Sequence, residues 1–464
     1  MLMKKLTLIL ASAGALVLAA CSKTADNPIE EPEAKQAGEV VSFGAYLNRN
    51  VTKGGMVGEL TTSTGTANLQ TEGFGVFGYY TDGELYSDSA KPNFMYNQQV
   101  TNTSGSAWTY SPAKYWPNEF GVDAVSDDVD RLSFFAYAPW VDVDAATGNL
   151  KAVYDDSDPA LASATGIIGL SRATAAGDPL VKYVASMNPA YGVDLCWGVA
   201  REAFTEAVTT NVSNAVSIGS PFIDVAKPKT AAQVKYDFKH ALSQLNVQID
   251  TDVDVVSHNA GELDGFTRIY VRSITFEGFS LKGALNLNAN STDGPAWMDI
   301  TGSDRLSAAP VTIFDGRRDG KEGVSSAVDA NEKPLGLNPK LIQSVPYSES
   351  YTPGVQHTAV NLFASDEATA PVYVIPNGEV IKLTIVYDVE TRDSKLYTLL
   401  SDGATPGSTV ENTITKTIPG FRMEAGNRYN IALHVGMTSV KFSASVAPWS
   451  DGATENVNVP VNVE

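Results

Sequence analysis

Short runs in which every second residue is apolar recur through most of this 464-residue chain, separated by Gly, Asn, Asp and Pro. Val41, Phe43 and Ala45 alternate with Ser42, Gly44 and Tyr46 ahead of Asn48-Arg49-Asn50. Phe74, Val76 and Gly78 alternate with Gly75, Phe77 and Tyr79, a run fit to be buried on both faces, and Leu132 to Tyr137 reads the same way. The second half is cleaner. Val234, Tyr236 and Phe238 begin it, followed by Leu245, Val247 and Ile249, then Ile269 and Val271. Ile381, Leu383, Ile385 and Tyr387 come next, then Tyr429 to Val435 and Val440 to Val446. Period-two patterning with β-branched and aromatic residues is what a half-buried strand requires. With 38 Gly and 23 Pro breaking most windows that would propagate a helix, the pattern predicts an all-β chain of sandwiches or open barrels.

Breaks in this texture set the organisation. Residues 1–20 carry Lys4 and Lys5, an apolar stretch from Leu6 to Leu18, and Leu18-Ala19-Ala20-Cys21, the form of a secretory signal ending in a lipoprotein box. The apolar run is too short to favour a transmembrane helix. Cys21 is thus the candidate lipidation site; the alternative is an ordinary cleaved signal followed by an incidental cysteine. Residues 21–38 hold no apolar cluster and read as a flexible tether. About 440 residues remain, too many for one ordinary core. The Pro221 to Ala232 stretch, with Lys227-Pro228-Lys229, divides them into a first domain at 39–226 and a second at 227–464. Stretches 142–192 and 315–358, rich in Ser, Ala, Gly, Asp and Pro, are expected to be surface excursions.

A formal net charge of −20 argues against nucleic acid as a partner. With Cys21 lipidated, only Cys196 remains, so no intramolecular disulfide is expected. Within Val193-Asp194-Leu195-Cys196-Trp197 it reads as a buried strand residue. His240, His258, His357 and His434 are far apart at no ligand spacing, so no metal site is expected, and His240 is read as a packed or hydrogen-bonded core residue. The acid clusters at Asp123 to Asp130, Asp155 to Asp158 and Asp250 to Asp254 lack the EF-hand pattern. Ser111-Pro112-Ala113-Lys114 has the serine-x-x-lysine spacing of penicillin-interacting enzymes, but Pro112 favours an extended segment and the companion motifs are missing. No catalytic residue and no cofactor are assigned. Trp108, Tyr110, Tyr115, Trp116, Tyr137 and Trp140 make an aromatic-rich region, read as core and groove lining in preference to a sugar- or partner-binding surface.

Four stretches together resemble the fimbrillin family, subunits of type V pili. They are the lipoprotein box and tether running into Val40-Val41-Ser42-Phe43-Gly44-Ala45-Tyr46-Leu47-Asn48-Arg49; Trp108 to Pro117 with Leu132 to Pro139; Tyr236 to Leu245; and Ala425 to Ile431 with Ser445 to Trp449. The resemblance implies two β-sandwich domains of transthyretin-like topology and a lipid-dependent route to the outer membrane. It further implies an arginine-specific protease that removes lipid, tether and first strand, so that a strand of another pilin subunit fills the groove. Arg49, just after the first alternating run, is the candidate cleavage point, with Lys53 as a nearby substitute; a solvated strand-end charge is the other reading. Asp88-Ser89-Ala90 resembles a short O-glycosylation acceptor of the Gram-negative bacteria that carry such pili.

Near the C-terminus Val457, Val459, Val461 and Val463 present one uniform face, with Pro460 suiting an edge or exchanged strand. That segment either is donated to a neighbour or pairs at home. The family role would be a shaft subunit or tip adhesin of a surface fimbria, with a host or bacterial surface ligand. The rival is an anchored carbohydrate-binding or glycan-degrading lipoprotein. Lipid attachment is testable directly: Cys21→Ala is expected to abolish lipid labelling and membrane anchoring while the folded domains persist, and unchanged fractionation would count against it.

Overall fold

Alternating runs become strands almost wherever the pattern marks them. The computed structural model describes residues 39–47, 59–62, 65–102, 107–117, 129–151, 166–187, 192–228, 232–251, 253, 265–298, 310–315, 340–341, 359–362, 372–400, 403–436, 440–448 and 457–459. Cys21, Arg49 and Lys53 lie outside them. Residues 39–464 make one compact unit, all-β apart from a single helical turn at Leu69–Glu72 among the described residues.

A seven-stranded sheet organises the first part. Its order is Ser42–Leu47, Gln233–His240, Cys196–Ala200, Arg131–Ala138, Phe74–Tyr80 and Met95–Val100, with Phe222–Ala226 also pairing Arg131–Ala138. Both faces are covered, as the double alternation requires. On one face Phe43, Phe74, Val76, Phe134, Tyr236 and Phe238 share a core. On the other, Phe77, Tyr79, Phe135, Tyr137 and Trp197 pack on a four-stranded sheet of Ala296–Met298, Lys282–Asn286, Leu180–Val184 and Gly166–Leu170. Two of those strands fall inside 142–192, a stretch expected to be a surface excursion. They are short, and Gly166 and Gly169 dilute the apolar signal of the first.

The two largest remaining sheets share a separate core. Ser243–Thr251, Asn427–Val435 and Val440–Pro448 supply Leu245, Val247, Ile431, Leu433 and Phe442. Thr267–Glu277, Glu379–Arg392 and Gly407–Arg422 supply Ile269, Val271, Leu383 and Ile385 from the other side. One alternation differs from the sequence pattern. Ile381 is 45 % exposed and Val380 is buried, because the register between Glu379–Arg392 and Gly407–Arg422 shifts between Val380 and Lys382. A bulge adds a residue to one strand and so reverses which side chains face inward.

Strand pairing changes sheet at Ala241-Leu242 and not at residue 226, since Gln233–His240 completes the first sheet. Its alternation is strict, with Val234, Tyr236 and Phe238 buried. The Tyr236 ring lies 5.4 Å from Phe222, 5.9 Å from Phe74 and 5.9 Å from Phe238, centroid to centroid. Its buried hydroxyl has no hydrogen-bond partner among the described residues. A buried hydroxyl left unpaired costs about 1–3 kcal/mol. Tyr236→Phe is therefore expected to stabilise the protein by about 1 kcal/mol in urea unfolding; a loss of similar size would show that the hydroxyl is bonded.

Candidate functional site

The N-terminal strand occupies an unusual seat. Ser42–Leu47 forms one edge of the seven-stranded sheet and pairs in parallel with Gln233–His240, in a register from Ser42 opposite Gln233 to Leu47 opposite Phe238. A parallel neighbour requires a long crossover, and here almost the whole first half of the chain supplies it. Val41, Phe43 and Ala45 point inward at 0 %, 1 % and 1 % exposure. Phe43 sits edge-on to Phe134 with ring centroids 5.7 Å apart, stacks on Tyr236 at 6.3 Å, and meets Tyr110 at 5.5 Å. On the opposite face Tyr46 lies beneath the Arg201 guanidinium, 3.5 Å from the ring centroid, a cation–π contact.

The outer edge of this strand is only partly used. The Val41 amide donates to the Lys114 carbonyl at 2.9 Å, and the Trp116 amide donates to the Glu39 carbonyl at 3.0 Å. Two side chains cap carbonyls further along: Tyr110 Oη donates to Val41 O at 2.6 Å, and Gln233 Nε2 donates to Phe43 O at 2.5 Å. Burial pushes the Tyr110 phenol above its usual pKa, so it remains a neutral donor through mildly alkaline pH. Gly44 makes room for the glutamine; a Cβ there would approach Gln233 Oε1 to 2.8 Å. The result is a cleft walled by Gln233–His240 and the 109–116 segment and filled by residues 41–45.

The aromatic region lines this cleft and the cores on either side. Trp116 and Tyr137 are buried and Trp108 packs on Phe74 at 5.2 Å, while Tyr115 is 47 % exposed. At the other end of the chain, Val457–Val459 pairs antiparallel with Val440–Pro448 at the edge of its own sheet. Val461, Val463, His258 and His357 lie outside the described residues, as does the Asp155 to Asp158 cluster. His434 Nδ1–H donates to Asp250 Oδ1 at 2.7 Å. Asp88-Ser89-Ala90 sits in a turn whose Asp88 and Ser89 are exposed.

One grouping was not foreseen from sequence. His240 and Cys196 stand opposite each other in adjacent strands, and Asp194 precedes Cys196 by two residues. His240 Nδ1–H donates to Asp194 Oδ2 at 2.9 Å, with the Cys196 Sγ 3.7 Å from His240 Nδ1 and 3.9 Å from Asp194 Oδ1. His240 is a hydrogen-bonded residue as expected, but it stands among groups with metal-ligand chemistry. Burial, with the nearby Asp194 charge, pushes the Cys196 thiol well above its usual pKa. A protonated, inaccessible thiol is a poor nucleophile.

Residues 224–449 match the model of the family described as Fimbrillin-like. The match spans the C-terminal half of the chain, which resembles that family. Over 421 residues, 86 % of this chain and 87 % of the relative, it is 24 % identical to Fimbrium subunit Fim1C of Phocaeicola vulgatus. A solved fimbrial protein from Bacteroides vulgatus is similar at 19 % identity and a TM-score of 0.49, covering 88 % of this chain and 99 % of that one. A fimbrial assembly protein from Parabacteroides distasonis is similar at 11 % identity and a TM-score of 0.29, covering 89 % and 100 %.

The seat of the first strand yields a stability test. Phe43→Ala removes a fully buried ring from the cleft and is expected to cost about 3–5 kcal/mol, read from the urea midpoint. Tyr46→Ala, on the outer face, is expected to cost about 1 kcal/mol or less. Equal effects would mean that residues 41–45 are not seated as described.

Proposed function

We propose that this chain is a structural subunit of a cell-surface fimbria that polymerises by exchange of its N-terminal strand. The observation that carries the reading is the seating of Ser42–Leu47: an edge strand, buried on one side through Val41, Phe43 and Ala45, and ending two residues before Arg49. The fimbrillin-like match and the relationship to Fim1C support the fimbrial role. In this reading the chain forms two β-sandwiches of transthyretin-like topology, with the change between them at Ala241-Leu242.

The chain would travel to the outer membrane on lipid at Cys21. An arginine-specific protease acting at Arg49 would then release residues 1–49, and with them the strand. What remains is a sheet edge of unpaired backbone groups beside an apolar cleft, which an extended segment of another subunit satisfies along its length. The Val-alternating C-terminus is a candidate donor, because among the described residues its home pairing through Val457–Val459 lies at a sheet edge. The role is mechanical and adhesive, directed to other subunits and a host or bacterial surface ligand, with no catalysis of its own.

Limited trypsin treatment followed by mass spectrometry and size-exclusion chromatography tests this. The intact protein is expected to be a monomer. Cleavage between Arg49 and Lys53 is expected to yield a species that oligomerises, or that captures a peptide of residues 456–464. Arg49→Ala should resist cleavage at that point. A protein cut there that stays an unchanged, stable monomer would rule out exchange at this end.

A further inference from the structure

We propose that Asp194, Cys196 and His240 form a binding site for one divalent transition-metal cation, with zinc the ion best suited to its mixed oxygen, sulfur and nitrogen donors. The register creates the site. Cys196 in Cys196–Ala200 faces His240 in Gln233–His240 across an antiparallel pair, and Asp194, two residues earlier, returns to the same face. One ligand atom from each lies within 4.8 Å of the other two; His240 Nδ1 is 2.9 Å from Asp194 Oδ2 and 3.7 Å from Cys196 Sγ, and Cys196 Sγ is 3.9 Å from the other carboxylate oxygen, Asp194 Oδ1. Tetrahedral zinc at ordinary bond lengths separates sulfur, nitrogen and oxygen ligands by roughly 3.3–3.6 Å. A cation would draw the three groups together by up to about 1 Å, a change that rotation of the Asp194 carboxylate and the His240 ring can supply.

Burial points the same way. Asp194 and Cys196 are 2 % and 0 % exposed, so a carboxylate and a thiol are held together away from water with the imidazole as their cationic neighbour when protonated. Two positive charges at their common focus would compensate that burial more fully than one proton. Binding would release the thiol proton to solvent, and the proton on His240 Nδ1 would pass to Nε2 of a neutral imidazole or leave an imidazolium for solvent. Three protein ligands leave a fourth position. His240, whose side chain is 17 % exposed, also lines a cavity of about 390 Å³ with Trp197, Ser291, Pro295 and Ala425. That side is the route for an ion and for a water or small anion as fourth ligand.

The cation would clamp Cys196–Ala200 to Gln233–His240, the strand against which Ser42–Leu47 is seated. Its role is structural, holding the wall of the cleft in place whether or not the first strand is present. The site stands independently of the fimbrial reading, since strand exchange would proceed without metal and metal would bind without exchange.

The test uses the full chain carrying Cys21→Ala, so that Cys196 is its one thiol, stripped with a chelator and titrated with cobalt(II) and then zinc. The expected result is one cobalt per chain with a sulfur-to-cobalt charge-transfer band, displacement by zinc, and a rise in Tm of roughly 5 °C at saturating metal. Cys196→Ala should abolish the charge-transfer band, and His240→Ala, checked for an unchanged circular-dichroism spectrum, should weaken binding at least ~10-fold. No cobalt band in the Cys21→Ala chain, or cobalt affinity unchanged in both variants, would overturn the site.

Discussion

Everything near the cleft depends on Gln233–His240 having a strand on each side. Along one edge it carries Ser42–Leu47 in parallel, and along the other Cys196–Ala200 in antiparallel register. Its inward residues, Val234, Tyr236 and Phe238, are the floor on which Phe43 rests. Its last residue reaches Asp194 and Cys196, and the next two, Ala241 and Leu242, lead the chain into the second pair of sheets. A substitution in this strand therefore bears on the first-strand seat, the Asp–Cys–His grouping and the passage between cores together.

The two sides of the strand are unequal. On the inner side the sheet continues through four more strands, covered on both faces, so its backbone is satisfied and shielded. On the outer side one six-residue strand stands between it and the exterior, held at its start by Lys114 and Trp116 and in its middle by Tyr110 and Gln233. Parallel pairing is slightly weaker per residue than antiparallel. The strand is joined to the rest of the chain only through its ends, so releasing it disturbs no other ladder in the sheet.

Most of the sheet content was legible because burial imposes a period of two. Phe74–Tyr80 and Arg131–Ala138 announced burial on both faces, and the structure covers both. The sequence missed what pairing alone decides. Gly166–Leu170 and Leu180–Val184 were too short and too mixed to stand out, and the shift at Val380 turned Ile381 outward against its own alternation. The cleft was half legible. Val41, Phe43 and Ala45 marked a buried face, whereas their parallel partner almost 200 residues away left no local mark. The Asp–Cys–His grouping was hidden for the same reason. Its only trace is that Asp194 and Cys196 share a parity and that His240 ends the run of Val234, Tyr236 and Phe238.

Magnitudes explain why such a strand would be exchanged and not merely lost. Fully burying a Val or Phe side chain is worth about 1.5–3 kcal/mol and an alanine methyl less, so Val41, Phe43 and Ala45 together contribute on the order of 5 kcal/mol. Net stabilities of folded proteins are about 5–15 kcal/mol. A subunit stripped of the strand would keep the two cores to which the strand does not contribute but forfeit a large fraction of its margin, and would expose Tyr236, Phe134 and Tyr110 together. An incoming strand that places apolar side chains at the positions of Val41, Phe43 and Ala45 recovers that term and the backbone pairing with Gln233–His240. The cleft would favour an alternating donor, and a residue larger than glycine at the Gly44 position would require the Gln233 amide to swing aside, because a Cβ there meets Gln233 Oε1 at 2.8 Å. A donor with glycine there would keep the Gln233-to-carbonyl hydrogen bond, which would favour the native register over a shifted one.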